Sequence, residues 1–83
     1  MRHINRAALQ RAFGVTVRTL RVRVGTAQER LALEAGIDRA YMSGMERGLH
    51  NPTLVTIFRL LPFLGVSFAE FAQEFEKCQR KAR

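Results

Sequence analysis

The chain has 83 residues, of which 47% are apolar and 25% are charged. This length supports one small core, and the apolar fraction excludes disordered and low-complexity proteins. Fourteen Lys and Arg residues against seven acids give a net charge of +7, and twelve of the fourteen are arginine. Since the flat guanidinium suits phosphate and guanine edges, an anionic partner is the first hypothesis, with a solvated basic helix face as the alternative.

Other residue types exclude several classes of site. The single cysteine, Cys78, excludes an intramolecular disulfide and a multi-thiol zinc site. No apolar run approaches the ~20 residues of a membrane span, so a cytoplasmic protein is expected. Asp38 is the only aspartate, His3 and His50 are far apart in sequence, and there is no phosphate loop. We therefore expect no enzyme, no metal site and no cofactor.

The spacing of apolar residues predicts an all-α fold. Apolar side chains recur every three or four residues, without the sustained alternation of strands. We expect five helices in one domain that spans residues 1–83. The first helix covers roughly residues 5–24 and ends at Gly25. Its inward stripe consists of Leu9, Phe13, Val17, Leu20 and Val24.

Two short helices joined by one tight turn are predicted next. The second runs from about Gln28 to Ala35, and Gly36 supplies the left-handed residue that ends it. Asp38 precedes the third helix as its N-cap, and Gly48 ends that segment. The residues expected to face inward are Leu31, Ala32, Ala35, Met42 and Met45.

The C-terminal half is predicted to hold two more helices. Thr53 caps the fourth, after a loop at residues 49–52, and Pro62 predicts a kink or an early end. We expect this helix at the centre of the core, because its apolar residues are too many for one exposed face: Leu54, Ile57, Phe58, Leu60, Leu61 and Leu64.

A Ser-x-x-Glu capping box at Ser67 and Glu70 predicts the start of the fifth helix, which runs toward the C-terminus. Aromatic residues and Cys78 then recur every three or four residues. We expect Phe68, Phe71 and Phe75 to cover the core in part and to form a dimer contact with the remainder of their surface.

The second and third helices match the pattern of a helix-turn-helix. Counted from Gln28, the pattern needs apolar residues at positions 4, 8, 10, 15 and 18, a small residue at 5 and glycine at 9. All seven positions agree: Leu31, Ala35, Ile37, Met42 and Met45 are apolar, Ala32 is small and Gly36 is the glycine. The last two requirements are independent of hydrophobicity, so an apolar composition does not explain the match.

Four segments carry a more specific resemblance: residues 28–32 read QERLA, residues 36–48 GIDRAYMSGMERG, residues 51–54 NPTL and residues 64–67 LGVS. Over about residues 13–71 the chain resembles the phage-repressor class of helix-turn-helix proteins, and the run at 38–48 most resembles controller proteins of restriction-modification systems. The resemblance implies a five-helix DNA-binding domain, usually dimeric, whose third helix enters the major groove. Residues 72–83 extend beyond it as part of the C-terminal helix.

The resemblance also implies roles for single side chains. Arg39 takes the leading base-reading position, where its parallel donors match O6 and N7 of guanine. Gln28 takes a phosphate contact at the start of the second helix, where free amides favour an anion. Arg21 and Glu46 match an ion pair between the first and third helices. Further candidates for contacts with bases or backbone are Ala40, Tyr41, Ser43, Gly44, Arg47, His50 and Asn51.

Gly44 is unusual among these residues, because a glycine inside a helix costs about 1 kcal/mol relative to alanine. Close approach of the duplex explains the missing side chain, and so does tight packing within the protein. The sequence leaves both explanations open.

The leading hypothesis is a sequence-specific transcription regulator that reads a palindromic operator as a homodimer. The alternative is an antitoxin-like interaction module, in which the aromatic stripe of the fifth helix binds another protein and DNA binding is secondary. Binding to a membrane surface is disfavoured, because the arginines of the first helix surround a narrow apolar stripe.

Overall fold

The computed structural model describes residues 3–81, and within that range the chain forms helices and no strand. The five helices are α1 (Arg6–Val24), α2 (Gln28–Ala35), α3 (Arg39–Glu46), α4 (Leu54–Leu64) and α5 (Phe68–Lys81). The all-α prediction is confirmed. The predicted bounds of α1 and α2 hold to within one residue, because both helices end at glycines.

Side chains close to each helix start satisfy its free amides. Asn5, Asp38 and Thr53 each accept a hydrogen bond from a backbone N–H three residues ahead. At the start of α5, the N–H of Ser67 donates to Oε1 of Glu70 at 2.8 Å, and the N–H of Glu70 donates to Oγ of Ser67 at 3.1 Å. This is the predicted capping box.

The turn between α2 and α3 depends on Gly36, whose φ is 68°. Residues with a side chain rarely adopt this left-handed conformation. Its N–H donates to the carbonyl of Leu33 at 3.3 Å, and the next N–H, of Ile37, donates to Ala32 at 2.9 Å. The turn therefore closes the end of α2 and starts α3 two residues later.

α1 contributes more buried residues than any other helix and packs against α3, α4 and α5. Its buried residues are Ala12, Phe13, Gly14, Thr16, Val17 and Leu20. The other helices add Leu31, Ala32, Ala35, Met42, Met45, Leu60, Leu61, Leu64 and Phe71. Val24 is exposed, contrary to prediction, because it is the last residue of α1 and the chain turns away at Gly25.

One prediction about α4 was wrong, and one of the two outcomes predicted for Pro62 does not occur. α4 is not the centre of the core, because Leu54 and Phe58 lie on a face of the helix that is largely exposed. Pro62 does not end the helix early, since α4 continues to Leu64. The proline lies in the last turn, so few backbone hydrogen bonds depend on its missing N–H.

α1 and α3 come into backbone contact at Gly14. A Cβ atom at this position would lie 2.6 Å from the carbonyl oxygen of Met45 and 2.8 Å from the carbonyl carbon of Glu46. Backbone atoms cannot swing aside as a side chain can, so only glycine permits this approach. The contact fixes the C-terminal end of α3 against α1.

Between residues 3 and 81, no single helix combines the length and the hydropathy needed to cross a bilayer. Only α4 and α5 taken together meet that test, and they are bent by 100°.

Candidate nucleic-acid interface

A buried ion pair joins α1 to the C-terminal end of α3. Arg21 donates from Nε to Oε2 of Glu46 at 2.6 Å and from Nη2 to Oε1 at 3.0 Å. A third donor of Arg21, Nη1, reaches the carbonyl of Thr26 at 2.9 Å. The Glu46 side chain is only 4% exposed. The hydrogen bond to Glu46 raises the pKa of Arg21 above its usual value, so the arginine remains charged.

Gln28 joins this cluster instead of pointing freely outward. Its Nε2 donates to Oε1 of Glu46 at 2.9 Å. The carboxylate that would repel phosphate therefore has two donor side chains around it. Ala27 provides no side-chain cap, so the first backbone amides of α2 keep no partner from that residue. Free amides at a helix start favour an anion, so a phosphate contact at Gln28 stays a prediction.

The outer side of α3 presents one strip of residues, which we call the reading face. Met42 and Met45 point into the core and leave the opposite side of the helix to solvent. The reading face comprises Arg39, Ala40, Ser43 and Arg47, which share one side of the helix. It carries two guanidinium groups and no carboxylate.

Arg39 forms a surface ion pair that the sequence did not reveal. Its Nη2 lies 3.1 Å from Oε2 of Glu29 at the start of α2, and its side chain is 74% exposed. Exposed pairs of this kind contribute about 0–1 kcal/mol. The Arg39 guanidinium is therefore accessible on the reading face, and its pair with Glu29 restrains it only weakly. Residue spacing does not indicate this pair, because it forms across the turn between two helices.

Tyr41 and His50 lie together at one edge of α3. Their rings are parallel, with centroids 4.2 Å apart and planes 3° apart, and both residues are half-buried. Tyr41 also packs against the core, so its burial is greater than the sequence suggested. Gly44 is buried beneath the His50 ring. A side chain at position 44 would therefore displace the His50 ring from this place.

The loop after α3 carries the remaining candidates. Arg47 is exposed, and its Nε donates to the carbonyl of Ser43 at 3.4 Å. Asn51 is also exposed. Gln10 of α1, which the sequence did not single out, donates from Nε2 to the carbonyl of Gly48 at 3.3 Å and so ties this loop to the domain.

The aromatic stripe of α5 divides between core and surface. Phe71 is 3% exposed and packs on Phe13, with ring centroids 5.5 Å apart, so the prediction that it forms a dimer contact was wrong. Phe75 is half-buried and lines a half-open apolar cavity of about 320 Å³ between α1 and α5. Phe68 is 45% exposed and stacks on Phe58 of α4, with centroids 5.2 Å apart.

Phe58 of α4 therefore adds to the exposed apolar surface next to Phe68. We call Leu54, Val55, Phe58 and Phe68 the aromatic surface patch, since all four are exposed, the first three lie within four residues of one another on α4, and Phe68 of α5 stacks on Phe58. The sequence did not reveal it, because Phe58 was expected in the core.

Taken together, a tight turn between two short helices, a second helix with its outer side exposed, and a buried ion pair that holds its end define a helix-turn-helix DNA-binding protein. Comparison with known proteins agrees, since residues 17–71 match the family described as Helix-turn-helix. The chain belongs to this helix-turn-helix family.

Its relatives include transcriptional regulators. The uncharacterized HTH-type transcriptional regulator y4dJ of Sinorhizobium fredii is 36% identical over 62 residues, which cover 75% of this chain and 80% of that protein. The crystal structure of the restriction-modification controller protein C.AhdI from Aeromonas hydrophila is 40% identical and covers 75% of this chain and 94% of that one, with a TM-score of 0.71.

A further solved structure contains DNA. The restriction-modification controller protein C.Esp1396I, crystallised as a tetramer in complex with its natural 35 base-pair operator, is 30% identical. The match covers 86% of this chain and 93% of that one, with a TM-score of 0.78. The prediction of a DNA-binding transcriptional regulator is confirmed, as is the resemblance to controller proteins.

Proposed function

We propose that the protein is a sequence-specific regulator that binds a palindromic operator as a homodimer, with α3 of each protomer in the major groove. The reading face carries this proposal, because it presents two arginines on an exposed helix that Gly14 and Glu46 hold against the domain. An α-helix fits the major groove, and half-sites about 34 Å apart would present equivalent grooves on one side of the duplex.

Base reading is assigned mainly to Arg39. A bidentate contact with guanine discriminates by about 1–3 kcal/mol, which exceeds what the exposed pair with Glu29 contributes. Arg39 therefore exchanges Glu29 for guanine at the correct site and keeps Glu29 elsewhere. Ala40 and Ser43 lie beside it on the reading face and would add smaller contacts.

Positioning on the duplex is assigned to the ends of the motif. Arg47 and Asn51 are exposed just after α3, and the start of α2 offers free amides beside Gln28. Contacts of this type fix the register of a protein on DNA and weaken with salt, without reading sequence.

The aromatic surface patch is assigned to the dimer contact. Phe58 and Phe68 present two phenyl rings next to each other, and 50% and 45% of these residues stay exposed in the protomer. An isologous contact would place the same patch of two protomers face to face around a two-fold axis. The controller protein C.Esp1396I, which is an oligomer on its operator, is consistent with this assignment.

Selection of bound fragments from a random DNA pool, followed by mobility shift, tests the proposal. We expect an enriched palindromic sequence. Arg39→Ala should weaken binding to that sequence by about 1–3 kcal/mol, roughly five- to 150-fold, and change binding to unrelated DNA little. Arg23→Ala is the matched control, since it removes the same charge from a residue that pairs with Glu74 of α5.

Two results would contradict these assignments. An equal loss on every DNA sequence would make Arg39 a phosphate contact, and a pool without any enriched sequence would contradict sequence-specific recognition as a whole.

A further inference from the structure

The chain that follows α3 folds back onto that helix. Gly48 adopts φ 80°, and the N–H of Leu49 donates to the carbonyl of Gly44 at 2.9 Å. The return brings the His50 ring parallel to the ring of Tyr41, with centroids 4.2 Å apart. A residue from the loop thus lies against a residue of α3 that borders the reading face.

Gly44 makes room for this ring. A Cβ atom at Gly44 would overlap Nε2 of His50 and lie 2.9 Å from its Cδ2. The three atoms nearest to that Cβ all belong to the imidazole, and none belongs to the backbone. The absence of a side chain at position 44 therefore has a specific cause within the protein, which is the His50 ring.

Tyr41 is held from two sides as a result. One part of its ring packs on the core, and His50 covers a parallel face at stacking distance. A ring enclosed in this way has few orientations, so its hydroxyl keeps a fixed place on the surface of the domain. A group that is already ordered loses less conformational freedom when it meets DNA.

We propose that His50 is a positioning residue, which holds Tyr41 at the edge of the reading face and depends on Gly44 for its own place. We call these three residues the Tyr41–His50–Gly44 stack. The inference deepens the proposed function and rests on it wherever DNA is involved, whereas the stack itself can be tested on the free protein.

The sequence suggests a different role for His50, namely a contact with the sugar-phosphate backbone. The two roles need different chemistry. A stacked ring needs a flat aromatic face, which His50→Phe keeps, whereas a phosphate contact needs an N–H donor, which His50→Gln keeps. The two substitutions at one position therefore separate the roles.

The first test needs no DNA. Alanine is the better helix former, but at Gly44 it displaces the His50 ring. We expect Gly44→Ala to raise the urea midpoint of the His50→Ala variant, and to raise that of the wild-type chain less or to lower it. Gly14→Ala is the matched control: its obstacle is backbone, so it should lower the midpoint equally in both backgrounds. An equal Gly44→Ala effect in both backgrounds would overturn the link between Gly44 and His50.

The second test follows the ring of Tyr41, the only tyrosine in the chain. Stacking shifts the NMR signals of its ring protons upfield through the ring current of His50. We expect His50→Ala and Gly44→Ala to remove that shift and His50→Phe to keep it. Unchanged Tyr41 signals in His50→Ala would overturn the stack.

The third test measures affinity for the selected operator. His50→Ala should weaken it about two- to tenfold, because the Tyr41 side chain must then be ordered when DNA binds. Gly44→Ala should do the same, and the double variant should be no weaker than His50→Ala alone. His50→Phe should bind nearly as the wild type, and His50→Gln as weakly as His50→Ala. The reverse order would assign His50 to a phosphate contact. If the wild type selects no operator, the proposed function fails, while the first two tests still decide the stack.

Discussion

At the scale of single residues, Glu46 is a buried carboxylate that depends on its hydrogen-bond partners. Its carboxylate is nearly inaccessible to water and accepts hydrogen bonds from Arg21 and Gln28. A buried charge is tolerated only with such partners. The same bonds draw its charge away from the surface that approaches phosphate. Glu46 thus helps to hold α3 in place against α1.

Removal of Arg21 should expose this dependence. We expect Arg21→Met to lower the free energy of unfolding by about 3 kcal/mol, because it leaves the Glu46 charge buried with only Gln28 beside it. Urea unfolding measures the change. The double variant Arg21→Met, Glu46→Met should recover most of the loss, since an apolar pair needs no compensation. A double variant as unstable as the single one would show that packing, and not charge, accounts for the loss.

At the scale of helices, the sequence predicted what local chemistry decides. Caps such as Asp38 and the box at Ser67 act within one turn, and Gly36 acts through its own backbone, so these features could be read directly. Apolar spacing showed which residues are suited to burial. It did not show which are buried, because Phe58 faces solvent only as a result of how α4 packs on its neighbours.

The candidate site divides in the same way. The positions on α3 follow from the helical repeat and could be predicted. The pairing of Arg39 with Glu29, the contact of Gln28 with Glu46 and the ring of His50 over Gly44 depend on the turn and loop that bring separate segments together. The spacing of residues along the sequence does not give the distance between side chains of separate segments.

The capping box of α5 predicts a pH dependence. The pKa of Glu70 lies below its usual value, because its carboxylate accepts a hydrogen bond from the backbone N–H of Ser67, with a smaller effect from the Ser67 side chain. Since the folded pKa is lower than the unfolded one, of about 4.3, the stabilisation is complete above that value and is lost as the pH falls through the folded pKa.

Glu70→Gln should therefore destabilise the protein most near neutral pH, and its difference from the wild type should shrink as the pH falls below the unfolded pKa of about 4.3 and through the lower folded pKa. Urea unfolding at several pH values measures this. Glu76→Gln, on the exposed side of the same helix, is the control. If the two variants show the same pH profile, the hydrogen bonds of the capping box do not contribute to the pH dependence of stability.

At the scale of the whole molecule, the aromatic surface patch predicts the oligomeric state. Phe58 leaves half of its surface exposed, so its burial between protomers contributes about 1 kcal/mol per ring, or about 2 kcal/mol for the two rings of a dimer. Phe58→Ser should raise the dimer dissociation constant about thirtyfold, as measured by sedimentation. Leu33→Ser, which removes an exposed apolar residue from α2, is the control and should change it little.

An unchanged dimer in Phe58→Ser would place the contact elsewhere. A wild-type chain that stays monomeric at micromolar concentration would contradict the homodimer, and would favour the antitoxin-like alternative if Phe58→Ser also lost a different protein partner.

The backbone contact at Gly14 also has a consequence for the choice of operator. α1 touches α3 there and also packs against α4 and α5, so the helix proposed to enter the groove and the patch proposed for the dimer contact are packed on the same helix. In a dimer joined at this patch, as proposed, the distance between the two α3 helices would be fixed. A duplex whose grooves do not match that distance has to bend or twist, and the stiffness of untouched spacer base pairs then helps to decide which site is occupied.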